Sequence, residues 1–142
     1  PDVQSSRPRP LLRSGVRWDD GDEQPPGEGT EGLVEDQALG ALRRIAGVSA
    51  AYIVDGQGVV AGAGDDRLSQ VQGALLAAVF GSLRQASTDL GIGQLGETIL
   101  EAEDGAVVAG ALGGERAAVV LARDRSSLGM IRVELRRLRR GA

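Results

Sequence analysis

The chain has 142 residues, a net charge of −4 and only 2% aromatic residues. It contains no cysteine and no histidine, and every basic residue is arginine. These absences exclude disulfides, thiolate zinc sites, histidine bases and the lysine of Walker-type phosphate loops. The length fits one domain, and the acidic balance does not favour nucleic acid as a partner. We expect no catalytic residue, no metal and no cofactor.

The first 29 residues differ in composition from the rest of the chain. They hold all five prolines and an acidic run from Asp19 to Glu23, and their apolar residues show no period. We predict a disordered or linker arm over 1–29 and a folded domain over 30–142. Val16 and Trp18 are the arm residues that could dock locally. No signal-peptide pattern and no apolar run near ~20 residues is present, so we expect a cytoplasmic protein without a membrane span.

Periodicity and turn residues predict three helices and five strands. An amphipathic helix covers 30–46, two short strands cover 50–54 and 59–63, and a long helix covers 66–90, capped by Asp65 or Asp66. Three strands follow over 94–103, 106–112 and 116–122, and a final helix covers 126–140 with Ser126 and Ser127 as its cap. Hairpin strands without a parallel crossover indicate an α+β fold, with an antiparallel sheet between helices.

The long second helix has more apolar and small surface than one contact requires. Large residues form one stripe, and Gly73, Ala77 and Gly81 form a ridge almost without side chains. Each glycine inside an exposed helix would cost about 1 kcal/mol relative to alanine, so we expect close packing to offset that cost. The ridge either lets a second copy of the helix approach, which we favour, or packs on the sheet of the same chain.

Two further patterns have a chemical and a structural interpretation. The run from Gly91 to Gly96 spells G-x-G-x-x-G, but a helix precedes it and a strand follows, the reverse of a dinucleotide-binding loop. We interpret Gly91 as a helix stop. Glu97, Glu101 and Glu103 are interpreted as a charged outer strand that limits edge pairing rather than as catalytic carboxylates.

The last helix is basic on its outer face. This face carries Arg132, Arg136, Arg137, Arg139 and Arg140. The first interpretation is a solvated face whose cations suit the helix C-terminus. An acidic partner surface or anionic lipid is the alternative.

Taken together, these segments resemble the Roadblock family, which includes dynein light chains and bacterial MglB-type regulators of Ras-like GTPases. The resemblance covers about residues 31–140 and rests on the segments 42–48, 51–58, 90–95 and 128–135. It implies a profilin-like αββαβββα sandwich with a five-stranded antiparallel sheet. The second helix would lie on one face of the sheet, and the first and third helices on the other.

The resemblance also implies a homodimer and a small Ras-like GTPase as partner. Second helices would pair, and third strands would join into one sheet. The chain would regulate the GTPase without being an enzyme, as a possible GTPase-activating platform. Alternatives are a pure scaffold and, less favoured, a nucleotide or small-ligand binder. We assign the dimer interface to Gly73, Leu76, Ala77, Phe80, Gly81, Ile99 and Glu101, and the partner contact to Arg67, Gln70, Arg84 and Gln85.

Overall fold

A computed structural model describes residues 17–19 and 30–141 and places them in one sheet with three helices. In chain order the elements are β1 (Arg17–Asp19), α1 (Thr30–Arg43), β2 (Val48–Asp55), β3 (Gly58–Gly64), α2 (Gln70–Asp89), β4 (Glu97–Ala102), β5 (Gly105–Gly113), β6 (Arg116–Ala122) and α3 (Leu128–Gly141), with a 3-10 turn at Arg125–Ser127 before α3. None of the helices in 30–141 is long and apolar enough to cross a membrane.

The sheet has the strand order β1-β3-β2-β6-β5-β4. The five strands from β2 to β6 pair antiparallel, as the sequence predicts. Glycines with positive φ turn the chain where the meander requires it, for example Gly105 at +155° and Gly114 at +58°. The sixth strand, β1, was not predicted: three arm residues pair in parallel with β3, with Trp18 opposite Gly62. The remaining arm residues lie outside the described part of the chain.

The two faces of the sheet carry separate apolar clusters, because strands alternate their side chains between faces. On one face Leu39 and Leu42 of α1 and Ile131 and Leu135 of α3 pack on the sheet, all 2% exposed or less. On the other face Phe80 of α2 packs on the strands. The predicted α+β sandwich, with α2 on one face and α1 and α3 on the other, is therefore confirmed.

Two predicted helix starts were wrong. The second helix begins at Gln70, because Ser69 and Gln72 form a reciprocal capping box: the Ser69 hydroxyl accepts from the Gln72 N–H, and the Gln72 side chain accepts from the Ser69 N–H. Asp65 and Asp66 lie before it. At the last helix, Asp124 replaces the predicted Ser126–Ser127 cap, since its carboxylate accepts from the Ser126 N–H. A local side-chain bond to the backbone therefore set each boundary.

Candidate functional site

The outer face of α2 is apolar and exposed. Val71, Leu75 and Val79 follow one another at a spacing of four residues and are 77%, 62% and 46% exposed. No charged residue occurs between Gln70 and Leu83. An amphipathic surface helix normally presents polar side chains to water, so a stripe of this kind is typical of a helix that packs against another surface.

The small ridge of α2 faces the sheet of its own chain. Gly73, Ala77 and Phe80 are buried there, and a Cβ at position 73 would lie 3.0 Å from Cγ2 of Val59. This is the alternative that the sequence left open: close packing on β3 offsets the cost of a glycine inside the helix. Leu76 is half-buried against the same cluster. Of the ridge, Gly81 alone has open space within 4 Å of the position a Cβ would take.

The sheet face beside α2 continues as an apolar strip toward its free edge. Leu100 of β4 pairs with Val107 of β5, which pairs with Leu121 of β6. Val107 and Leu121 pack against the cluster of Phe80, so all three side chains share the α2 face. Leu100 is 61% exposed. The exposed stripe of α2 and the outer strand of the sheet therefore lie on one side of the molecule.

The predicted interface residues of β4 lie on the opposite face. Ile99 pairs with Val108, a residue of the cluster beneath α1 and α3, and is 39% exposed. Glu101 is exposed on that face as well. Since β4 ends the strand order, its outer backbone edge is open to pairing. The sequence placed the edge strand correctly.

Glu97 has a different role from the one predicted for it. Its side chain is only 13% exposed, and it accepts hydrogen bonds from Nε of Arg132 at 2.8 Å and Nε of Arg136 at 3.3 Å. Burial alone would raise the pKa of Glu97, but the hydrogen bonds and charges of the two arginines outweigh it and lower the pKa. Glu97 thus joins the edge strand to α3 and is no part of a free charged row.

The predicted partner residues do not form one cluster. Arg67 and Gln70 lie at the start of α2, where the Arg67 guanidinium stacks 4.9 Å from the ring centroid of Trp18. Arg84 and Gln85 lie near its other end, where Gln85 donates to Asp89 at 2.9 Å. A helix of 20 residues separates its ends by about 30 Å, so the two pairs could contact only a large partner.

The glycine run after α2 is a helix stop, as predicted. Gly91 has φ +73°, and the N–H groups of Gly91 and Ile92 donate to the carbonyls of Thr88 and Ser87 at 3.0 and 3.2 Å. These two bonds form a Schellman motif. The C-terminal end of a helix dipole is negative, so this loop does not offer the donor-rich end that binds phosphate.

The arm contributes one side chain that the sequence only suggested. Trp18 is half-buried, with its ring centroid 5.7 Å from that of Tyr52 and the planes at 44°. Glycine at position 62 makes space for the indole ring, because a Cβ there would overlap it. The Tyr52 hydroxyl donates to the Asp66 carbonyl below α2. Burial, followed by the charge of Asp66, raises the pKa of Tyr52 to about 12.

The described residues include no candidate metal site. Within 17–19 and 30–141 no group of three or more acidic side chains could hold a metal ion. The acidic run after Asp19 lies outside the described residues. The main surface features are the exposed apolar face of α2, the open edge of β4 and the docked Trp18.

Comparison with solved structures shows the same fold in other proteins. MglB of Myxococcus xanthus matches with a TM-score of 0.70 and 16% identity, over 81% of this chain and 89% of that one. An MglB structure described as having a tetrameric arrangement matches with a TM-score of 0.64 and 21% identity, over 83% and 96%. A Roadblock/LC7 domain from Streptomyces avermitilis matches with a TM-score of 0.59 and 21% identity, over 75% and 95%.

Sequence comparison agrees with the structural one. No curated protein matches the chain. The family model of the Roadblock/LC7 domain matches residues 34–122, which run from α1 to the end of β6. That segment is more than half of the 142 residues and contains α2 and the edge strand. The chain belongs to the Roadblock/LC7 domain family.

Proposed function

We propose that the chain is a homodimeric module that binds and regulates a small Ras-like GTPase. The observation that carries the proposal is the exposed, uncharged apolar stripe of α2 beside the uncovered strip of the sheet. The family and the fold shared with MglB supply the class of partner. The absence of histidine, cysteine and lysine from the sequence supports a regulator that acts on catalytic groups of its partner.

The dimer is the first part of the proposal. A second copy of α2, antiparallel or crossed, would cover Val71, Leu75 and Val79 and reach the strip that ends at Leu100. This moves the centre of the interface from the small ridge to the large stripe. Gly81, Ile99 and Glu101 remain candidate members at its border. Gly73, Ala77 and Phe80 support it from below, since they fix α2 on the sheet.

A charge in the stripe tests the dimer. We expect Leu75→Arg to weaken dimerisation at least tenfold, because burying an unpaired guanidinium costs several kcal/mol. Val133→Arg on α3 is the matched control: Val133 is 60% exposed, against 62% for Leu75, but lies on the opposite side of the sheet. Sedimentation equilibrium measures both. A monomeric parent protein at micromolar concentration, or equal dissociation by Val133→Arg, would refute the interface.

The GTPase is the second part, and phosphate release tests it. The Ras-like GTPase encoded nearest to this chain is mixed with the purified protein, and the hydrolysis rate is measured with and without it. We expect binding and a faster rate. Tight binding without acceleration would favour the scaffold function. No binding to any Ras-like GTPase would refute the proposal, and nucleotide binding by the isolated chain would favour the small-ligand alternative.

A further inference from the structure

A cleft of ≈ 760 Å³ lies where three parts of the fold converge. They are the end of α2 with its glycine loop, the turn between β5 and β6, and the last turns of α3. Four arginines line it, together with neutral polar and apolar residues, and no carboxylate is among its lining residues: the four are Arg84, Arg136, Arg139 and Arg140. The whole chain carries a net charge of −4, so this concentration of positive charge runs against the overall balance.

One of the four arginines is paired with a carboxylate of the same chain. Arg136 is hydrogen-bonded to Glu97. Arg84, Arg139 and Arg140 form no ion pair with any residue in the described part of the chain. Three guanidinium charges therefore remain in the cleft.

Helix dipoles do not neutralise these three charges. Both α2 and α3 end at the cleft, and each C-terminus is equivalent to about −0.5 charge, or about −1 together. Three arginines exceed that by about two positive charges. Arg84 also lies five positions before the last residue of α2, outside the last turn in which the dipole acts.

The side chain of Arg139 lies beside two glycines. A Cβ at Gly96 would lie 3.0 Å from the Arg139 Nη2, and a Cβ at Gly110 would lie 3.7 Å from its Cδ. The side chain thus crosses the backbone of β5 and sets its guanidinium over the entry to β4. Glycine at both positions therefore leaves space for this exposed side chain to reach the cleft.

We infer that this cleft binds an acidic polypeptide segment of a partner protein. The guanidinium fork matches a carboxylate with two parallel hydrogen bonds, and arginines from two helices suit carboxylates spaced along a chain. A cleft of ≈ 760 Å³ with arginines from two helices suits an extended chain with several carboxylates better than one compact phosphate. A flat anionic membrane would not enter a concave site. The inference concerns the ligand's chemistry and does not depend on the GTPase partner.

Fluorescence anisotropy with a labelled oligoglutamate peptide at low ionic strength tests the site. We expect the double variant Arg139→Gln/Arg140→Gln to bind about tenfold more weakly, since it removes two guanidinium charges that would pair with carboxylates of the peptide. Arg43→Gln/Arg44→Gln at the end of α1 is the control with the same change in net charge. Arg140→Glu is a further variant, at an exposed side chain, and it should weaken binding at least as much.

Each other result would overturn the inference. Equal loss in the α1 control would mean diffuse attraction by any arginine pair. Tighter binding of tripolyphosphate than of the peptide would make the cleft a phosphate site. Preferential binding to phosphatidylglycerol vesicles would make it a lipid contact. No peptide binding by the parent protein would exclude an acidic ligand altogether.

Discussion

Replacing Trp18 with alanine should cost far less stability than its ring contacts suggest. The contacts are strong: about 1 kcal/mol for the aromatic pair with Tyr52, about 0.5–1 kcal/mol for the Arg67 guanidinium, and about 2.5 kcal/mol for roughly 100 Å² of buried ring surface. The total is about 4 kcal/mol. The ladder hydrogen bonds of β1 to β3 add about 1 kcal/mol each.

Against this stands the entropy of ordering the arm. Fixing the backbone of the three residues of β1 costs about 1–2 kcal/mol each, or about 4 kcal/mol in all. The contacts and the entropy nearly cancel, so roughly two ladder hydrogen bonds leave docking favourable by only about 2 kcal/mol. Once the indole of Trp18 is gone, the arm releases rather than leaving a cavity, and the loss is limited to that net value. A fully buried tryptophan in a fixed core would cost about 3–5 kcal/mol.

Urea unfolding followed by circular dichroism measures the difference. We expect Trp18→Ala, and a chain that lacks residues 1–19, to lose the same 1–2 kcal/mol, or about 5 °C in Tm. Trp18→Phe keeps a ring above Gly62 and gives up no hydrogen bond to residues 17–19 and 30–141, among which the indole Nε1 has no partner, so it should lose less. As the sole tryptophan, Trp18 should also emit at shorter wavelength in the native protein than in urea. A loss above about 3 kcal/mol for Trp18→Ala, or none, would refute the reasoning.

Three further predictions concern single side chains. Glu97→Gln should lower the free energy of unfolding by about 1 kcal/mol at neutral pH and make it depend less on pH in acid. The lowered pKa of Glu97 stabilises the fold above the ordinary value of 4.5, and this stabilisation is lost as the pH falls through the pKa of the folded state. An unchanged acid dependence would contradict the prediction. Tyr52, the only tyrosine, should ionise near pH 12 in an absorbance titration, and the stability linked to it is complete below pH 10 and lost as the pH rises to about 12; a folded-state midpoint near 10 would exclude this. Gly91→Ala should lower the unfolding free energy by about 1 kcal/mol through its positive φ, and an equal or higher Tm would disprove the helix stop.

The sequence predicted the turns and the end of α2 well because those boundaries carried local glycine signals, whereas the capping residues of α2 and α3 were assigned wrongly. The strands of the meander end at Asp104-Gly105 and Gly113-Gly114, and glycines there adopt the φ values that such turns need. The helix stop at Gly91 was also predictable, because a helix precedes the glycine run and a strand follows it, whereas a phosphate-binding loop lies after a strand and before a helix. Both signals act within a few residues, so they do not depend on the rest of the fold.

Contacts between distant segments could not be predicted in this way. Glu97 and Arg132 are 35 positions apart, and their pairing follows from how α3 crosses the edge strand. A strand whose glutamates all face solvent and a strand with one buried, paired glutamate have the same spacing of glutamates in the sequence. The sequence therefore did not distinguish Glu97 from its exposed neighbours. Trp18 gave a weak signal as the sole tryptophan of an otherwise polar arm, and Gly62 beneath it was inconspicuous among the 22 glycines.

The orientation of α2 was ambiguous because both of its sides are apolar, and only the depth of packing distinguishes them. Over β3 the helix lies so close that a Cβ at Gly73 would press on Val59, so the small ridge must face inward. The large side chains then face outward, where Val71, Leu75 and Val79 still expose 77%, 62% and 46% of their surface. Full burial of such a side chain is worth about 1.5–3 kcal/mol. Six of them across two copies could supply up to about 10 kcal/mol, within the 4–15 kcal/mol that association costs. A helix turned the other way would have buried these side chains inside the monomer, so the inward glycines leave on the surface the apolar area that the proposed dimer would bury.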